Sequence, residues 1–220
     1  MIRGFFGFNC CQEHQRRVEE IIAKWKINYV VETGTFCGYT TAFFAERVKH
    51  VYTVEITPEK WRMHGTAQQL LTGYENIEMY EGNSPEFLPV IFKEIAAIEP
   101  ILFYLDAHGY DYWPLMDELG IIAEQIGPRA IIIIDDIKVP GKDYGYDTYK
   151  GVENSLELIE PHLNKIYPQG FHYEYFNGPL EFQLVLDESI LNPQEQEIFF
   201  NDIRGKTMKK TGRILIHAKG

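Results

Sequence analysis

Val18, Ile21, Ile22 and Trp25 recur at helical spacing and predict an amphipathic helix over 11–26. The pattern then alternates between short apolar runs and helical stretches. "YVVET" (29–33) is a strand, and 40–49 a helix. "VYTVEI" (51–56) is a strand before a helix that Thr57 caps and Pro58 opens. "IEMYEG" (77–82) is a strand, and Ser84-Pro85 starts the next helix with the same chemistry. "ILFYLD" (101–106) is a strand; Pro114 opens a helix that buries Leu115, Leu119, Ile122 and Ile126. "AIIIID" (130–135) is the fifth strand. Near-continuous apolar strands are expected when helices cover both faces of a parallel sheet, so the fold class is α/β, doubly wound.

After a helix at 151–163 the rhythm changes. "HYEYF", "NGP" and "EFQLVLDE" read as two antiparallel strands around a tight turn. Asn192-Pro193-Gln194-Glu195 has a capping-box pattern and starts a last helix carrying Ile198, Phe199 and Ile203. A chain of 220 residues suits a single domain over 1–220: an N-terminal helix (11–26), a core (28–187), then a helix and basic tail (189–220).

In such sheets ligands bind beyond the carboxyl ends of the strands. Those ends read Glu32, Glu55, Gly82-Asn83-Ser84, Asp106-Ala107-His108 and Asp135-Asp136. Five consecutive strands ending in acid or amide chemistry are the strongest signal in the chain. Gly34 and Gly38 predict a sharp turn and close backbone approach to a ligand. Glu55, at the end of the second strand, is placed to accept hydrogen bonds from ribose hydroxyls. The pattern here is E-x-G-x-x-x-G rather than the G-x-G-x-x-G of a dinucleotide site, which weakens a pyrophosphate reading.

"VVETGTFCGYTTAFFAE" resembles the first motif of class I S-adenosylmethionine (SAM)-dependent methyltransferases, nearest to metal-dependent O-methyltransferases of the catechol, caffeoyl-CoA and macrocin types. "GNSPEFLP" resembles their adenine-side motif, and "FYLDAH" and "IIIIDDI" their metal-ligand segments. The resemblance covers about 15–187 and implies a Rossmann-like, seven-stranded, mostly parallel sheet with a C-terminal antiparallel hairpin. It implies that Glu32, Gly34, Phe36, Gly38 and Thr40 line the methionine side of SAM. Glu55 would hold the ribose, and Asn83 and Ser84 the adenine. Asp106, Asp135 and Asp136 would ligate a metal, with Asp106 also bordering the cofactor. An all-oxygen set suits Mg²⁺ or Ca²⁺. Where the catechol type has a lysine base, this chain has "AHGYDYW", which makes His108 the candidate general base beside Asp106; a histidine that only orients Asp106 is the alternative.

The expected activity is transfer of a methyl group to a hydroxyl of a small acceptor: a sugar, a natural product or a vicinal diol. The alternatives are an NAD(P)-dependent oxidoreductase or epimerase, a non-catalytic SAM-binding module, and a metal hydrolase built on Asp106, His108 and Asp135. Loop 138–151, with Tyr144, Tyr146 and Tyr149, reads as a mobile cover over the acceptor. A net charge of −11 argues against nucleic acid as a partner. The six Lys/Arg and no acids from Arg204 to Gly220 read as a solvated end, or as a surface for a homodimer. Three cysteines make no disulfide framework, and no apolar run spans a bilayer, so a cytoplasmic protein that avoids membranes is expected.

Overall fold

The computed structural model describes residues 7–8, 11–56, 63–95, 99–107, 112–177 and 211–219. In chain order the strands are β1 (Tyr29–Thr33), β2 (His50–Glu55), β3 (Ile77–Glu81), β4 (Ile101–Leu105), β5 (Ala130–Ile137), β6 (Thr148–Tyr149), β7 (Val152–Glu153), β8 (Phe171–Asn177) and β9 (Gly212–Ala218). The helices are α1 (Gln12–Trp25), α2 (Tyr39–Ala45), α3 (Met63–Leu71), α4 (Ser84–Glu94), α5 (Leu115–Gln125) and α6 (Leu156–Ile166).

Seven strands form one sheet in the order β3-β2-β1-β4-β5-β9-β8. The first five pair in parallel; β9 runs antiparallel to both β5 and β8. This is the doubly wound, mostly parallel sheet that the apolar runs predict. Because side chains alternate across a strand, each strand feeds two cores. Val31, Phe103, Ile132, Ile134, Ile214 and Ile216 pack with α4, α5 and α6 on one face. Val30, Leu102, Ile131, Ile133 and Leu215 pack with α1 and α2 on the other. The sheet turns back at β1, so the ends of β1 and β4 open a crevice at the point where the strand order reverses.

The end of the chain departs from expectation. Residues 211–219 are not part of a solvated tail: Gly212–Ala218 is β9, inserted between β5 and β8 with Arg213 to Leu215 buried. The alternation in "GRILIHA" carries the reason, since Ile214 and Ile216 face one core and Leu215 the other. The antiparallel C-terminal pair is therefore β8 with β9; the second expected hairpin strand, over 180–187, and the last helix around 193–203 fall outside the described residues. So do Thr57, Pro58 and His108. Among the described residues, no helix is long and apolar enough to cross a membrane.

Loop 138–151 is more structured than a bare cover. It runs into a small hairpin, β6 with β7, and its end is pinned from beneath. The buried Asn154 accepts from Lys138 N–H (2.7 Å), donates its own N–H to the Asp147 carbonyl (2.9 Å), and uses its side-chain amide on the carbonyls of Asp135 and Asp136 (both 3.2 Å). The helix that follows begins at Leu156 rather than 151, because the Ser155 side chain accepts from Leu158 N–H and caps it.

Candidate functional site

The bend after β1 is set by contacts within the protein. Gly34 has φ +90°, and a Cβ added there would lie 2.3 Å from the Asp106 carbonyl oxygen. Its N–H donates to Val54 O (2.9 Å), while Asp106 N–H donates to Thr33 O (3.0 Å). The glycine thus lets β1 and β4 part side by side at their tips; the close approach that sequence assigns to a ligand is made by Asp106. Gly38, at φ +85°, is the N-cap of α2, and a Cβ there would press on Leu71 at 3.1 Å.

Three acids surround this bend. Glu32 is fully buried: Oε2 accepts from Thr41 (2.5 Å) and Thr53 (2.7 Å), while Oε1 has no partner among the described residues. Burial pushes its pKa up to about 7, against the pull of the two threonine hydroxyls. Glu55 accepts from Phe36 N–H through Oε2 at 2.6 Å, and Phe36, at φ +47°, leaves its ring 47% exposed at the mouth. Asp106 is half-buried at the tip of β4.

Other expected cofactor residues turn elsewhere. Thr40 Oγ1 accepts from Phe8 N–H (3.2 Å). Asn83 is the N-cap of α4 without a side-chain capping bond, and its amide lies 3.5 Å from Glu86. The Ser84 hydroxyl points inward and donates to Glu118. Glu118 is buried on α5, and burial raises its pKa to about 7 against the Ser84 hydrogen bond. Its place between Leu115, Leu119 and Ile122, one acid on an apolar helical face, is a sequence signal not used above.

Next to the bend lies a crevice lined by Asp106, Ala107, Trp113, Glu118, Asp135, Asp147 and Asn154, with Leu105, Leu115 and Ile134 beneath. Asp135 and Asp136 sit in a β-bulge. Ile134 pairs with Ile214 and Ile137 with Gly212, so two residues of β5 oppose Arg213 alone. The bulge places Asp136 at φ +48° and turns Asp135 inward. Asp135 Oδ2 accepts from Tyr104 OH and from Arg213 Nη2, each at 2.5 Å; Oδ1 accepts from Asp136 N–H at 2.8 Å. Arg213 also donates to His14 Nδ1 at 2.6 Å. Burial works against the Arg213 charge, and Asp135, Tyr104 and Asp136 together more than restore it. Burial, then Asp135, holds the Tyr104 hydroxyl well above its ordinary pKa.

This arrangement tests the metal expectation. An ionised carboxylate has about four lone-pair directions. Three on Asp135 are taken, one by a full cation. As the side chains stand, Asp135 does not fit a metal-ligand role; Asp106 and Asp135 line the crevice together, and Asp136 is not part of its lining. No group of three His, Cys, Asp or Glu suited to a metal occurs among the described residues.

Residues 31–137 match the family model described as a methyltransferase domain. Over that span the chain is similar to a methyltransferase domain. The matched span runs from β1 to the end of β5 and so contains the bend, all three acids around it and the bulge. The sheet order around the domain is the class I methyltransferase fold, shared with solved structures of low identity. The O-methyltransferase TomG from Streptomyces achromogenes, involved in tomaymycin synthesis and solved with SAM, superposes with a TM-score of 0.57 at 13% identity, covering 94% of this chain and 80% of that one. An O-methyltransferase from Bacillus cereus in complex with SAH gives a TM-score of 0.54 at 14% identity, with 94% and 80% covered. Among curated proteins, the protein-L-isoaspartate O-methyltransferase of Picosynechococcus sp. is 29% identical over 133 residues, 53% of this chain. The chain spans 59% of that relative's length.

Proposed function

We propose that the methyltransferase domain moves a methyl group from SAM to the hydroxyl oxygen of a small acceptor, such as a sugar, a natural product or a vicinal diol. The observation that carries this reading is the ring of acids around one glycine bend. Glu32, Glu55 and Asp106 end β1, β2 and β4 and suit a ligand that bears positive charge and ribose hydroxyls.

Glu55 is fixed by Phe36 N–H and presents a carboxylate to the ribose. The unpartnered Oε1 of Glu32 suits a donor from the amino-acid end. When bound, the cofactor supplies an electrophilic methyl group on a sulfonium. The chain's own residues hold the acceptor: Asp106 and Asp147 offer acceptors for its hydroxyls, and Trp113 an apolar wall. His108, two residues beyond Asp106, takes the hydroxyl proton; an imidazole with an ordinary pKa of about 6.5 suits that task near neutrality. Holding the acceptor oxygen in line contributes about 7 to 11 kcal/mol in favourable cases. Asp135 is already paired with a cation from within the chain, Arg213.

The test is calorimetry with SAM, followed by an acceptor panel scored by S-adenosylhomocysteine release. Catechols, sugars and an isoaspartyl peptide all belong in it. Saturable SAM binding with release on a hydroxylated acceptor is expected. Methylation of the isoaspartyl carboxylate alone would replace the hydroxyl reading, and NADH binding without SAM binding would remove the methyl-transfer reading.

A further inference from the structure

We propose that Arg213 is the resident cation of this site, and that no divalent ion ligates Asp135. The inference deepens the methyl-transfer reading and relies on it only for where the acceptor lies.

Asp135 is a buried carboxylate and requires positive charge or donors beside it. The sequence resemblance supplies it as a metal. The fold supplies it from β9, whose Arg213 enters opposite the Asp135–Asp136 bulge, with Arg213 and Asp135 side chains each only 5% exposed. A guanidinium cannot lose its proton here, so the charge is permanent. It is oriented from behind by His14 of α1, and Asp135 is oriented from the side by Tyr104 of β4. A divalent ion on Asp135 would sit within a few ångströms of that charge and would compete for a carboxylate with one open direction. Arg213 does not border the crevice; it is a positioning residue that fixes Asp135 in the crevice wall.

The experiment is titration of the intact wild-type chain with Mn²⁺, read by electron paramagnetic resonance, alongside three measurements. SAM binding and S-adenosylhomocysteine release are measured with and without EDTA. The same titration is run on Arg213→Met and on the double variant Asp135→Asn/Arg213→Met, which removes both charges and keeps a neutral pair. Wild type is expected to bind no site-specific Mn²⁺ and to lose no turnover in EDTA. Folded Arg213→Met is expected to gain one bound Mn²⁺, and the double variant to lose it. Stoichiometric Mn²⁺ on wild type that disappears in the double variant would overturn the proposal, as would loss of turnover in EDTA. A folded Arg213→Met that binds no ion would also overturn it, because the guanidinium would then hold no cation's place. The wild-type arms stand if Arg213→Met fails to fold. Absence of SAM binding would sink the methyl-transfer reading and leave the Mn²⁺ result intact.

Discussion

Gly34 lies against the carbonyl of Asp106 so closely that a single added carbon would stand 2.3 Å from its oxygen. The contact ties the tip of β1 to the tip of β4 at the reversal of strand order. Gly34→Ala must therefore move Asp106 or straighten the bend. The cost is about 1 to 2 kcal/mol for the left-handed backbone and about 1 to 3 kcal/mol for the clash. Urea unfolding should show the destabilisation, and calorimetry a parallel loss of SAM affinity. An unchanged midpoint would mean that the bend is not under this constraint.

Glu55 should separate binding from folding. Its carboxylate accepts the Phe36 N–H at the end of β2. A hydrogen bond to a charged group is worth about 1.5 to 3 kcal/mol, so Glu55→Ala should weaken SAM binding roughly ten- to hundred-fold. Glu55→Gln, which keeps an acceptor for Phe36, should fall between the two. Equal SAM affinity in all three proteins would remove Glu55 from the cofactor site.

Glu32 and Glu118 set a pH dependence. Burial raises both from the ordinary 4.5 to about 7, against the hydroxyls that bond them. Between those values the folded protein keeps protons that the unfolded chain has released. Their contribution to stability is complete below 4.5 and is lost as the pH rises through 7, on the order of 3 kcal/mol for each group. Urea unfolding of wild type between pH 5 and 8 should show the decline, and Glu32→Gln or Glu118→Gln should flatten it. A slope that neither substitution changes would assign the effect to other groups.

The Asp135–Arg213 pair should behave as a unit. Removing one partner leaves a buried charge uncompensated, at about 3 to 5 kcal/mol. Removing both, as in Asp135→Asn/Arg213→Met, should cost clearly less than the sum of the single changes. Tyr104→Phe deletes one donor to the same oxygen and should cost about 1.5 to 3 kcal/mol. Additive single and double variants in a thermal-unfolding cycle would show that the pair is not coupled.

Asn154 holds loop 138–151 through two backbone hydrogen bonds and ties it to the bulge through its side-chain amide, whose two bonds Asn154→Ala removes. Asn154→Ala should loosen that loop while leaving the Gly34 bend alone. Faster proteolysis within 138–151 and lower turnover are expected, with SAM affinity held within about twofold. A matching fall in SAM affinity would show that the loop and the cofactor side are not separable.

Much of this was legible in the chain. The runs at 29–33 and 101–105 lie where their apolar content placed them, because a strand covered on both faces must be largely apolar. That Asp106 and Asp135 line one crevice is in keeping with parallel strands, which bring their carboxyl ends to one edge. The direction a side chain takes was not legible. Ser84 turns to Glu118 and Thr40 meets Phe8, contacts that local spacing does not encode. Arg213 lies in a basic stretch whose charge masks the two-residue alternation of "GRILIHA", and no local pattern marks His14 as its partner.

By itself, the sequence determined the alternation of strands and helices, the parallel core and the acidic edge at which a ligand must lie. Those follow from hydrophobic periodicity, which acts along the chain and can be read along it. Only the tertiary structure decided that the last strand enters between β5 and β8, that a bulge turns Asp135 inward, and that a guanidinium 78 positions further on meets it. A buried charge is stable only beside its partner, and which partner reaches it is fixed by the packing of distant segments rather than by any local pattern.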